Sequence, residues 1–336
     1  MAVAFGLNRW DWRTPASFAA QVAEAEAIGL DWAFLPVNPL AVPDPYALMA
    51  AGAAATTTMR FGPLLETPQL RPPALAAGSI ATIAKASGGR AMLSYGVGDT
   101  AVRYLGMRPS RIAELEAATR DARALLAGEQ LDVGAKSAAF LRHASPAPVW
   151  VAAGGPKTLR MAGSVADGVW IRAGIHPTVI SNAVALVHEG ARSAGRDPSE
   201  VDIGLIVHTV RSKDPSEIRL ISRAMAAGFH EYSPALFEQA GLTWDGPPVH
   251  ELQQQVDPDF HHAADLVAAG EVVSFLSDEA AASFSFHGSD RDIRDQLDAL
   301  LAAVPSTAIV VPHPVPMPMG SELLAYVHWM ADTLFR

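Results

Sequence analysis

The chain has 336 residues, of which 50% are hydrophobic and 18% charged, so it holds ample apolar material for a large core and lacks the composition of a disordered segment. With 35 acidic against 25 basic residues the net charge is −10, which disfavours nucleic acid and anionic membrane as partners. The lack of cysteine excludes disulfides, thiolate metal sites and a cysteine nucleophile.

The opening MAVAFGLNRWDW has no basic segment followed by an apolar stretch. No run reaches the roughly 18 apolar residues of a spanning helix, so a soluble, cytoplasmic protein is the expectation. Ala2 to Leu7 reads as the first strand, followed by a polar and aromatic loop from Asn8 to Arg13. Thr14 as a cap and Pro15 in the first turn predict a helix with Phe18, Val22, Ala25 and Ile28 on one face, ended by Gly29. Asp31 to Pro36 is the second strand, and an alanine-rich helix runs from about Pro45 to Thr57. Met59 to Leu65 is the third strand, and a helix from about Pro72 to Ala86 closes at Gly88-Gly89. Ala91 to Tyr95 is the fourth strand, running into the glycine turn Gly96-Val97-Gly98-Asp99. Ile112, Leu115, Thr119, Ala122 and Leu126 then keep helical spacing, and residues 129–147 are irregular.

Pro148 to Arg172 is the most informative stretch. Val149-Trp150-Val151 is an apolar strand that stops at Ala152-Ala153-Gly154-Gly155, after which Pro156 fits the first turn of a helix ending near Gly163. Gly168 to Arg172 is the sixth strand. Glycines at such a turn serve either close helix packing or the approach of a phosphate to the free N–H groups of the helix start, with Lys157 adding positive charge. A helix to about Gly190 and the Val/Ile-rich seventh strand, Val201 to Val210, follow. The pattern from 215 to 286 is helical but less regular. Ser289 with Asp292 reads as a capping box, Ala308 to Val311 as the eighth strand, and residues 322–335 as a terminal helix.

Eight strands alternating with helices predict a single-domain (β/α)8 TIM barrel over residues 1–336, with a helical insertion at about 215–286 between strands seven and eight. A doubly wound open sheet is the alternative, but AFGLNRW lacks the G-x-G-x-x-G turn that usually follows its first strand. In a barrel the chemistry lies at the carboxyl ends of the strands. There the sequence places Asn8, Arg9, Asn38, Leu64, Leu65, Glu66, Gly96, Gly98, Asp99, Ala152 to Lys157, Arg172, His176, His208 and His313. Arg9 and Arg172 suit an anion or substrate. Asp99 is an acid or a cap, His208 a core histidine, and His313, between two prolines, a loop residue. His261-His262 stands among Asp257, Asp259 and Asp265, but adjacent histidines on a helix point apart and no H-E-x-x-H spacing occurs; a solvated acidic loop is expected there, and no metal site. Neither a G-x-S-x-G elbow nor a Walker loop is present.

Several blocks resemble the bacterial luciferase-like monooxygenase superfamily, especially its coenzyme F-420 (deazaflavin)-dependent branch. They are DPYALMAAGAAATTTMRFGP, RPPALAAGSIATIAKASGGRAMLSYGVGD, VRYLGMRPSRIAELEAATRDARALLAGE, PVWVAAGGPKTLRMAGSVADGVWI and FSFHGSDRDIRDQLDALL. The resemblance implies an F-420-dependent oxidoreductase on the eight-stranded barrel, with a homodimer as the expected assembly and a small-molecule substrate. It implies that Ala153, Gly154, Gly155 and Pro156, flanked by Ala152 and Lys157, cradle the cofactor phosphate, with Gly96 and Gly98 on the same side. Leu64-Leu65 falls where the branch has a bulged strand with a non-proline cis peptide behind the deazaflavin. Asp99 falls at or beside a proton-donor position, with Asn38 and His176, or else His313, as polar contacts to the substrate. Where such enzymes often carry Asp-His after strand two, this chain has Val37-Asn38. An FMN-dependent monooxygenase, or a cofactor-binding protein without turnover, is the alternative reading.

Overall fold

The structure, a computed structural model, describes residues 3–98, 100–132, 134, 137, 139–318 and 322–335; Asp99 lies outside the described residues. Among the described residues nine strands occur: β1 (Ala4–Leu7), β2 (Trp32–Leu35), β3 (Arg60–Pro63), β4 (Leu93–Tyr95), β5 (Val149–Ala153), β6 (Gly168–Ile171), β7 (Asp202–Val210), β8 (Ser285–Phe286) and β9 (Thr307–Val315). Eight of them pair in parallel in the order β3-β2-β1-β9-β7-β6-β5-β4. Parallel bridges from Phe61 to Ala91 and from Glu66 to Tyr95 join β3 to β4, so the sheet curls into a nearly closed barrel with helices between its strands. This is the (β/α)8 architecture expected from the alternation of apolar runs and caps.

The local signals act as anticipated at many element ends. Thr14 and Ser17 form a reciprocal capping box on the helix Pro15–Ile28, which Gly29 closes with φ 110°. Ser289 and Asp292 form the same box on the helix Asp290–Ala303. Three expectations need correction. The helix Pro156–Val165 runs through Gly163, where a Cβ would lie 2.0 Å from the Val187 carbonyl oxygen; this glycine lets two helices touch and does not end one. The helical segment after β7 ends in a strand: β6 pairs with β7 only as far as Leu205, and Ser285-Phe286 pairs with the free edge of β7 at His208 and Thr209. β9 continues to Val315, so His313 is a strand residue and not part of a loop.

The lower barrel is filled with aromatic rings. Trp150 and Trp170 lie 4.7 Å apart, Phe34 meets Trp170 edge-on at 5.1 Å, and Trp32 stacks on Phe34 at 5.3 Å. A Cβ on Gly204 would strike the Trp170 ring at 2.4 Å, so the narrow barrel needs a glycine there to admit the indoles. Trp170 Nε1 donates to Ser94 Oγ at 3.0 Å, giving the buried indole its acceptor. The period of two along a strand then puts Arg172 above Trp170, His208 above Ile206 and His313 above Val311. A polar layer thus rests on an aromatic floor at the carboxyl ends of the strands.

Candidate active site

The mouth of the barrel opens into a cavity of about 250 Å³ whose walls include Leu65, Gly96, Gly98, Ala152, Ala153, Gly154 and Arg172. All seven were singled out in the sequence. Tyr232 and His262, from the segment between β7 and β9, complete the rim, and both also line an adjoining cavity of about 570 Å³. The Leu64-Leu65 peptide is cis, as the resemblance implied. Gly96 lies against the Leu65 side chain so closely that a Cβ would meet Cδ1 at 2.6 Å. On the opposite wall Gly155 is the N-cap of the helix Pro156–Val165 and provides no side-chain cap, so the first N–H groups of that helix have no intrahelical acceptor. A Cβ on Gly155 would meet nothing within 4 Å, and one on Gly154 would first meet the Arg172 carbonyl oxygen at 3.7 Å. The glycines therefore leave open space at a helix start, the geometry that suits a phosphate. Lys157 is exposed in the first turn of the same helix.

Beyond this cradle stands the polar layer. Arg172 Nη2 donates to His208 Nε2 at 3.3 Å and to His261 Nδ1 at 3.0 Å, while its guanidinium carbon sits 5.8 Å from the centre of the Phe229 ring. His261 Nε2 lies 3.0 Å from the Met225 carbonyl oxygen. His313 Nδ1 lies 2.9 Å from Asn8 Oδ1, and its ring is 5.4 Å from that of His208. Burial first, then the neighbouring positive groups, push His208, His261 and His313 well below the ordinary histidine value. The Arg9 guanidinium is brought down to about 10, mainly by burial and then by Arg172. His208 and His261 are therefore not the satisfied core histidine and the solvated loop expected from the sequence. His261 locks Arg172 to the covering segment, whereas half-exposed His262 pairs with Asp259 at 2.8 Å.

A second group supports the cavity from behind, and sequence reasoning named only one of its members. The Glu66 carboxylate is fully buried; it accepts from Tyr46 Oη at 2.9 Å and from the Thr67 N–H at 2.9 Å, with Arg71 Nε 3.2 Å away. Burial outweighs these partners and raises its pKa. Its backbone N–H donates to the Ser94 carbonyl at 2.8 Å and its carbonyl accepts from Gly96 N–H at 2.9 Å. Glu66 thereby ties the Leu65 wall to the Gly96 turn. The available signal was a charged residue closing an apolar strand, with an arginine five positions on.

Asn38 and His176 do not line the cavity. The Asn38 carbonyl closes a local turn by accepting from Val42 N–H at 2.9 Å. His176 begins the helix Pro177–Ser193, its N–H donates to the Ser283 carbonyl at 3.0 Å, and its buried Nδ1 has no hydrogen-bond partner. Among the described residues no group of three or more His, Asp or Glu side chains is arranged to hold a metal ion.

Comparison with known proteins places this geometry in a family. The model of the luciferase-like monooxygenase family matches residues 8–307. The chain is 27% identical over 285 residues to a 5,10-methylenetetrahydromethanopterin reductase of Methanolobus tindarius, covering 81% of this chain and 82% of that one. It is 31% identical over 187 residues to an F-420-dependent glucose-6-phosphate dehydrogenase of Nocardia farcinica, covering 50% and 55%. Among solved structures, the coenzyme F-420-dependent tetrahydromethanopterin reductase of Methanopyrus kandleri superposes with a TM-score of 0.77 at 21% identity, covering 99% of this chain and 98% of that one. The chain belongs to the luciferase-like monooxygenase family.

Proposed function

We propose that the protein is an oxidoreductase that exchanges a hydride between coenzyme F-420 and a small organic substrate. The observation that carries this reading is the glycine-lined cavity between the cis Leu64-Leu65 wall and the uncapped helix start at Gly155; relatives named for F-420 chemistry support it. When bound, the deazaflavin supplies a carbon centre for two-electron hydride exchange.

The chain's own residues do the rest. Ala153, Gly154, Gly155 and Pro156 receive the phosphate, with Lys157 adding charge and Ala152 and Gly98 shaping the wall. Leu64 and Leu65 back the ring system, and Glu66 holds Leu65 against Gly96. Tyr232 and His262 narrow the entrance and limit water. Asp99, directly after the cavity-lining Gly98, is proposed as the group that takes or returns the proton accompanying the hydride, with Asn38 and His176 as polar groups of lesser reach. The chain acts as one domain; the homodimer is carried by the resemblance and the cytoplasmic setting by the sequence pattern, and light scattering and fractionation test them.

Single-turnover mixing of the F-420-loaded protein with a panel of alcohols, aldehydes and imines tests the activity. At least one substrate should change the redox state of F-420, and Asp99→Asn should slow that change by about 10²-fold or more, the usual scale for losing a positioned acid or base. Turnover that appears only with FMN and oxygen would overturn the reading.

A further inference from the structure

We propose that Arg9 and Arg172, together with His208, form a receiving site for an anionic oxygen group on the substrate, a carboxylate or a phosphate, beside His313, whose Nδ1 proton goes to Asn8 Oδ1. The proposal rests on the oxidoreductase reading for the word substrate, but the site itself is argued from hydrogen-bond accounting and topology.

A guanidinium only donates, so His208 Nε2 and His261 Nδ1, at 3.3 and 3.0 Å from Arg172 Nη2, are both acceptors. Each neutral ring then carries its proton on the other nitrogen. For His261 that proton reaches the Met225 carbonyl oxygen at 3.0 Å. For His208 it sits on Nδ1, which is buried and has no partner. Arg9 Nε is likewise buried without a partner, and no carboxylate pairs with Arg9 among the described residues. Two buried N–H donors and a buried cation therefore lack an acceptor, an arrangement that proteins rarely leave uncompensated. Burial and the neighbouring positive groups hold the three histidines neutral near pH 7, so the charge that an incoming anion meets is that of the two guanidiniums. A group with two or more anionic oxygens supplies acceptors of the kind that are missing, and the planar fork of arginine matches carboxylate and phosphate alike.

The topology separates this site from the cofactor cradle. β1, β9, β7 and β6 are consecutive neighbours in the barrel, and their upper ends bring Arg9, His313, His208 and Arg172 to one arc of the wall. Gly96 and Gly154 stand at the ends of β4 and β5, on the next arc. Arg172 is shared, since it also lines the cavity beside Gly154. A substrate anchored by its anion on the first arc would lie beside a cofactor held on the second. In a chain of net charge −10 this local excess of positive charge belongs to the barrel mouth and not to the surface at large.

Calorimetric titration of the F-420-saturated protein with benzoate and, separately, inorganic phosphate tests the site. Saturable binding of either anion is expected, and which one binds tells carboxylate from phosphate. Arg9→Gln should weaken it by about tenfold or more, corresponding to about 1.4 kcal/mol, Arg9→Lys should weaken it less, and F-420 affinity should stay within about twofold. Arg9→Lys keeps the charge, so it serves as the reading if Arg9→Gln melts early. Displacement of the anion by F-420 would assign the site to the cofactor and overturn the proposal, as would binding indifferent to Arg9→Gln and Arg172→Gln, or no binding of either probe. If F-420 itself does not bind, the cofactor reading fails separately, and the same arginine dependence is measured on the protein alone.

Discussion

Arg172 and His261, 89 residues apart, meet at 3.0 Å across the barrel mouth, and this contact joins the end of β6 to the segment that covers the cavity. His261 serves both sides, because its other nitrogen reaches the Met225 carbonyl on the helix Pro215–Tyr232. His261→Leu removes two buried hydrogen bonds, the one from Arg172 Nη2 and the one to the Met225 carbonyl. A loss of about 1–3 kcal/mol is expected, and urea denaturation of the variant against the wild type measures it.

The histidines of the polar layer link stability to pH. His208, His261 and His313 have folded-state values well below 6.5, so between pH 6.5 and those values the unfolded chain binds more protons than the folded one. Their contribution is fully present above pH 6.5 and is lost as the pH falls. Each histidine adds at most about 1.4 kcal/mol per pH unit to the slope. Thermal melts from pH 8 to 5 should show Tm falling below pH 6.5, and His313→Asn should make that fall shallower. An unchanged slope in the variant would remove His313 from the linkage.

Glu66 is expected to matter for the shape of the cavity more than its distance from any reacting atom suggests. Glu66→Ala leaves the buried Tyr46 hydroxyl without its acceptor and Arg71 with Asp44 alone, at 2.8 Å, for which about 2–3 kcal/mol is the expected loss; Tyr46→Phe removes one hydrogen bond and should cost about 1 kcal/mol. Denaturation curves give both values, and the larger loss should fall on Glu66.

Gly163 and Gly190 bring the helices Pro156–Val165 and Pro177–Ser193 into backbone contact: added Cβ atoms would lie 2.0 Å from Val187 O and 1.9 Å from Arg160 O. Because the obstacle is backbone, neither helix can yield by turning a side chain. Gly163→Ala should destabilise the protein by about 2–3 kcal/mol, with a matching drop in Tm. A variant as stable as the wild type would mean that the helices stand farther apart.

The barrel was legible because its strands are apolar runs bounded by prolines, glycines and capping residues, as at Thr14, Gly29 and Ser289. His313 was misread since Pro312 and Pro314 suggest a loop. β9 tolerates them because β1 pairs with it only at Ile309 and Val310, so the strand has no partner on that side to lose farther along. The phosphate cradle was legible because strand, glycine turn and helix are contiguous in the sequence. The Arg172–His261 contact and the Glu66–Tyr46 pair were not, as each joins side chains whose meeting depends on closure of the barrel and no spacing rule reaches across it. The period of two from Trp170, Ile206 and Val311 does place Arg172, His208 and His313 on the inner face once the strands are known.

The central claim is that the open turn at Gly155 receives the phosphate of F-420. Its most direct measurement is an equilibrium titration of F-420 and of FMN into wild type and Gly155→Ala. A Cβ there meets no protein atom within 4 Å, and φ −85°, ψ 154° suits alanine, so the fold should lose little beyond a fraction of a kcal/mol at the cap. The account predicts saturable F-420 binding by the wild type and affinity weakened by about tenfold or more in the variant, with Tm nearly unchanged. Tight FMN binding with none of F-420, or F-420 affinity untouched by Gly155→Ala, would contradict it.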